Sequence, residues 1–66
     1  MDNTVKVSYE GKAYEFENSI SVREILKKLN LNSEEHVVVV DDQIYTEDRI
    51  VKKGMKVNIF KVTSAG

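Results

Sequence analysis

The chain has 66 residues, no cysteine, and ten lysines and arginines against eleven aspartates and glutamates. Its length bounds it to one domain with a limited core, and the lack of cysteine excludes disulfides, iron–sulfur clusters, thiolate metal sites and thiol catalysis. The near-neutral balance argues against a direct nucleic-acid partner. The longest purely apolar run, VVVV at 37–40, is too short to span a bilayer, and the first residues lack a signal-peptide pattern, so a soluble cytoplasmic protein away from membranes is expected.

Residues 4–9, TVKVSY, alternate: Val5, Val7 and Tyr9 share one face, Thr4, Lys6 and Ser8 the other. That is the period of a half-buried strand. Glu10-Gly11-Lys12 follows, with Gly11 suited to the positive φ of a hairpin turn. AYEFE then alternates again, Tyr14 and Phe16 against Glu15 and Glu17, so the chain opens with a β-hairpin.

The period changes in ISVREILKKLNL, residues 20–31. Ser21 and Glu24 have the spacing of a capping box, and Ile20 with Ile25 can form a hydrophobic staple. Val22, Ile25, Leu26 and Leu29 fall on one helical face. Lys27 and Lys28 suit the negative end of the helix dipole, and Asn30 or Asn32 can supply the left-handed residue that ends the helix. HVVVV, 36–40, is apolar on both faces and reads as a strand inside the sheet. Asp41-Asp42 turns the chain into a short strand, QIY. TEDRI reads as polar and irregular, with room for one turn of helix. Gly54 in KKGM marks a second glycine turn, and KVNIFKV is the last strand, with Val57 and Ile59 on one face and Asn58, Phe60 and Val62 on the other. Strand, strand, helix, strand, short strand, strand predicts a two-layer α+β domain over residues 1–62, one main helix packed on one face of a mixed sheet of four to five strands, followed by a flexible tail at 63–66.

Few residues offer chemistry. His36 is the sole histidine; it reads as the surface start of a strand in preference to a base or a metal ligand. Asp41-Asp42 suits a turn, and no further ligand spacing supports a cation. Glu34-Glu35 and Glu47-Asp48 read as solvated loop acids. No phosphate loop, HExxH or CxxC occurs, so an enzyme is not expected, nor a bound cofactor. Two features remain. If Val57 and Ile59 face the helix, Phe60 and Val62 project from the open sheet face as a docking surface, unless a bulge buries Phe60. The tail Thr63-Ser64-Ala65-Gly66 is thin enough to enter a partner's channel, and a glycine carboxylate without a Cβ is open to close approach. A frayed end is the alternative.

The hairpin, the single helix, the stretch VVVVDDQIYTEDRIVKKGMKVNIF and the terminal glycine together resemble the ThiS/MoaD family of sulfur carriers, ubiquitin-like proteins of the β-grasp fold. The resemblance covers nearly the whole chain. It implies that a ubiquitin-activating-type adenylyltransferase uses ATP to adenylate the Gly66 carboxylate, and that a sulfur donor converts it to a thiocarboxylate. An acceptor enzyme then takes the sulfur toward thiamin, molybdopterin or a tRNA base. It also implies that Phe60 meets the activating enzyme and that Thr63, Ser64 and Ala65 enter its channel. Some relatives are instead joined through the same glycine to protein lysines. The family pattern ends Gly-Gly, whereas this chain ends Ala65-Gly66. That difference leaves open a native Ala-Gly ending, a further glycine beyond residue 66, or a β-grasp interaction module that binds partners without covalent chemistry.

Overall fold

The computed structural model describes residues 3–62. Strand β1 (Val5–Tyr9) and strand β2 (Lys12–Phe16) pair antiparallel, with Tyr9 opposite Lys12. Only Glu10 and Gly11 lie between them, at φ 49° and 79°. Two consecutive positive φ values make the mirror-image turn whose twist matches that of the strands it joins.

Helix α1 (Val22–Lys28) follows strand β3 (Ile20–Ser21). The Ser21 hydroxyl accepts from the Glu24 amide at 3.2 Å, so the expected cap is in place. The helix ends at Asn30, whose φ of 60° is left-handed. The Asn30 amide donates to the Lys27 carbonyl and the Leu31 amide to the Leu26 carbonyl, closing the last turn. Leu31 then folds back against the core. Regular helix is therefore shorter than the periodic stretch at 20–31. Ile20 and Ser21 are extended and pair with strand β6 (Ile50–Val51).

After a 3₁₀ turn at Ser33–Glu35 come strand β4 (His36–Val40) and strand β5 (Gln43–Tyr45). Asp41 and Asp42, at φ 49° and 68°, form a second two-residue turn that sets Val40 opposite Gln43. Aspartate tolerates this region better than most side chains because it is short and polar. The TEDRI segment is irregular up to Arg49, as expected, but its last residue belongs to a strand. Residues 46–49 close as a single turn, with the Arg49 amide on the Thr46 carbonyl, and Ile50 and Val51 are strand. The cause is tertiary. The Arg49 and Glu47 carbonyls accept from the Val22 and Arg23 amides, so the loop satisfies the unpaired start of α1 and cannot wind upon itself.

Gly54, at φ 90°, turns the chain into the last strand, β7 (Lys56–Lys61). The main sheet runs β2-β1-β7-β4-β5. Its centre is the parallel pair β1–β7, and every other pairing in it is antiparallel. One face is covered by α1. Between them lie Val5, Val7, Val22, Ile25, Leu26, Val38, Val40, Val51, Val57 and Ile59, none more than 4% exposed. Among the described residues no polar or charged side chain is buried, so hydrophobic burial carries the core. This is the α+β, β-grasp architecture: five strands in a mixed sheet, one helix on one face, and a short β3–β6 ribbon that the sequence did not announce.

Candidate functional site

Strand alternation leaves the second face of the sheet uncovered. The register places Lys6, Ser8, Ala13, Glu15, Val37, Val39, Ile44, Lys56, Asn58 and Phe60 on it. The face is divided. Over β1 and β2 it is polar, with Glu15, Lys6 and Lys56 in one cross-strand row. Toward β4, β5 and the end of β7 it is apolar. There Ile44 is 71% exposed, Phe60 56% and Val62 46%, around half-buried Val37 and Val39. Burial of apolar side chains is favourable, so such a group is a candidate surface for a partner. The structure thus places Phe60 and Val62 where the sequence put them, outside the core. It adds Ile44, Val37 and Val39, which the sequence reading did not single out. A signal for Ile44 was present. Once the turn at Asp41-Asp42 holds two residues, Ile44 must lie opposite Val39, and Val39 faces away from its core neighbours Val38 and Val40.

β7 outlasts β1. Parallel pairing ends at Tyr9 opposite Ile59, whereas pairing with β4 continues to Lys61 opposite His36. A cleft of about 340 Å³ opens beside this end of β7, between the hairpin tip at Glu10-Gly11 and Phe60-Lys61. The last described residue, Val62, donates its amide to the Glu35 carbonyl at 2.8 Å. Val62 is therefore held at the end of β7, beside the apolar patch. Thr63, Ser64, Ala65 and Gly66 lie outside the described residues.

His36 begins β4 and is half-buried, not fully at the surface. Its Nδ1 is 2.8 Å from the Asn32 carbonyl and its Nε2 is 2.9 Å from the Tyr9 hydroxyl. A carbonyl only accepts, so Nδ1 carries the proton, Nε2 accepts, and Tyr9 donates. The two rings meet edge to face, 5.3 Å between centroids. Burial pushes the Tyr9 phenol above its ordinary value, and the charges of Glu10 and Glu35 act in the same direction.

The remaining acids behave as loop residues. Asp41 and Asp42 are the turn described above. Asn32 caps the 3₁₀ turn, its side-chain oxygen accepting from the Glu34 amide at 2.9 Å, and Glu34 is exposed. Asp48 accepts from the Thr46 hydroxyl at 2.7 Å, which holds its carboxyl below the usual range, helped by Arg23 and Arg49. Glu47 lies 3.5 Å from Arg23, and Arg49 stacks over Tyr45. Among the described residues no three His, Asp or Glu side chains gather to hold a metal ion, and no helix is long and apolar enough to cross a membrane.

Residues 1–63 match the model of the family described as small archaeal modifier protein 2. The chain belongs to that family. A solved structure, the N-terminal ubiquitin-like domain in the 4931431F19Rik protein, superposes with a TM-score of 0.68 at 21% identity, covering 98% of this chain and 79% of that one. It bears out the ubiquitin-like β-grasp fold. No curated protein sequence matches. The chain is thus a ubiquitin-like small modifier, and modifiers of this family work in general with E1-like activating enzymes. These comparisons carry the ubiquitin-like half of the resemblance and do not reach the ThiS/MoaD carriers in particular.

Proposed function

We propose that the chain is a protein carrier and modifier whose Gly66 carboxylate is activated by ATP within an E1-like partner. The match of residues 1–63 to a modifier family carries this reading. The carboxylate oxygen attacks the α-phosphorus of ATP, pyrophosphate leaves, and an acyl-adenylate results. A carboxylate is a poor electrophile; the adenylate supplies a good leaving group. A lysine amine then displaces AMP to give an isopeptide bond. Alternatively, sulfide displaces it to give a thiocarboxylate, which delivers sulfur in thiamin, molybdopterin or tRNA thiolation chemistry. Both fates share the first step, and neither asks this chain for an acid, a base, a metal or a bound cofactor. Its part is a recognisable surface and a narrow arm, the division of labour of a non-enzymatic cytoplasmic co-substrate.

Phe60, Val62 and the adjoining Ile44 form the docking surface, and residues 63–65 the channel-entering segment. The apolar patch supports this placement because it adjoins the point where the chain leaves the sheet. Phe60→Ala is expected to raise the KM of the activating enzyme for this protein by roughly tenfold or more, as for a buried aromatic anchor at an interface. Its thermal stability is expected to move by no more than about 0.5 kcal/mol, because the ring is 56% exposed. Pyrophosphate exchange at varied protein concentration, beside a melting curve, checks both.

Incubation with ATP and a cognate activating enzyme, followed by intact mass measurement, tests the whole reading. The expected product is the acyl-adenylate, or the thiocarboxylate when sulfide is supplied; ladders on lysines in extract identify conjugation. An unmodified chain, under conditions where the enzyme modifies another family member, removes the proposal. The same apolar patch, together with Ala65, favours a second reading, a non-covalent interaction module. In that case a partner binds equally well after residues 63–66 are removed.

A further inference from the structure

One cluster has no part in the docking face: Tyr9, His36 and the Asn32 carbonyl. It joins three elements. Tyr9 ends β1, His36 begins β4, and Asn32 opens the 3₁₀ turn. The Asn32 carbonyl accepts twice, from His36 Nδ1 at 2.8 Å and from the Glu35 amide at 3.0 Å. The amide bond closes the turn, and the imidazole bond ties that turn to His36, the residue after Glu35. The Glu35 carbonyl in turn receives the Val62 amide at 2.8 Å. A continuous chain of contacts therefore runs from the Tyr9 hydroxyl, through the imidazole and the turn, to the last anchored residue before the tail.

We propose that His36 is a positioning residue for the end of β7, holding the 3₁₀ turn so that the Glu35 carbonyl keeps Val62 in place. The proposal rests on the reading of the tail as the segment activated by a partner. Its physical basis is the usual weakness of a strand's last bond. The terminal pair of a ladder frays because nothing beyond it helps. Here the turn that carries the acceptor carbonyl is tied through Asn32 to a half-buried imidazole, itself bonded to Tyr9. An end of β7 that is already ordered at Val62 loses less freedom when a partner binds beside it. A histidine that only filled space would need neither ring nitrogen paired. Both are paired here, and to different elements.

Two variants separate the roles. Tyr9→Phe keeps the ring and removes the donor to Nε2. His36→Phe keeps an aromatic ring and removes both polar contacts. The Val62 amide is followed by hydrogen exchange in NMR, with the Val7 and Val40 amides as internal reference for global opening. Val62 is expected to exchange about fivefold faster relative to that reference in Tyr9→Phe, the factor carried by one ordinary hydrogen bond, and faster still in His36→Phe. With the activating enzyme, KM for this protein is expected to rise by a similar factor while kcat is unchanged. Equal acceleration of Val62 and the core amides, or none at Val62, overturns the proposal. So does a loosened Val62 with unaltered KM. If His36→Phe fails to fold, Tyr9→Phe alone decides. A wild-type chain that is inert to a competent enzyme defeats the activation reading instead, and the exchange experiment still shows whether His36 holds Val62.

Discussion

Deleting Gly66 is expected to lower adenylation by at least about a hundredfold while leaving the melting temperature unchanged. The reacting atoms must sit within a near-attack distance of the α-phosphorus, and a displacement of about 1 Å in such a geometry can cost about 10²-fold in rate. Removal of one residue withdraws the carboxylate by roughly 3.3–3.6 Å of extended chain. It also replaces a terminal carboxylate on glycine with one on Ala65, whose Cβ crowds the approach and restricts the backbone. Stability is not at stake, because the buried core closes at Ile59 on β7. Pyrophosphate exchange, with intact mass as a second readout, measures the loss. Full activity of the shortened chain would contradict the assignment of Gly66.

Ile25→Ala is expected to cost about 3–4 kcal/mol, the largest stability effect of a single truncation in this protein. Ile25 is 0% exposed at the centre of the one helix, among side chains from β1, β4, β6 and β7. Truncating a buried isoleucine loses both transfer free energy and the contacts around the cavity left behind. A domain of this size has a total stability of roughly 3–10 kcal/mol, so the variant is expected to melt about 15–25 °C lower, at roughly 4–8 °C per kcal/mol. Thermal unfolding followed by circular dichroism checks the value. A shift of a few degrees would mean that the helix can settle onto the sheet and fill the gap.

The two variants divide the molecule. Ile25 belongs to the scaffold, and in the proposed activation Gly66 belongs to the chemistry. The apolar patch bears on the same division. The core lies on the helix-covered face of the sheet, so the other can keep Ile44, Phe60 and Val62 in solvent without loss of the core. Their exposure reflects their position in the pleat and need not weaken the fold.

Much of the scaffold was legible because local signals agreed with each other. Alternation in TVKVSY and KVNIFKV put Val5, Val7, Val57 and Ile59 on buried faces, and they are buried. Ser21 caps the helix and Asn30 ends it. Gly11 and the Asp41-Asp42 pair turn the chain with positive φ. Each is a short-range effect, decided by side-chain shape or a hydrogen bond within a few residues. The projection of Phe60 from the open face was legible for the same reason. A strand alternates, so the burial of Ile59 implies the exposure of Phe60.

What the sequence by itself determined, then, is the period of each element, the turns between them, and which side of each strand is apolar. Tertiary structure alone decided the pairings: that Ile20 and Ser21 meet Ile50 and Val51, that the 46–49 loop gives its carbonyls to the start of α1, and that His36 stands between Tyr9 and Asn32. Apart from the local His36–Asn32 bond, these contacts join residues distant in the chain, such as Tyr9 and His36, 27 positions apart. Periodicity has no term for such distances, because it describes one element's faces and not which other element will satisfy them.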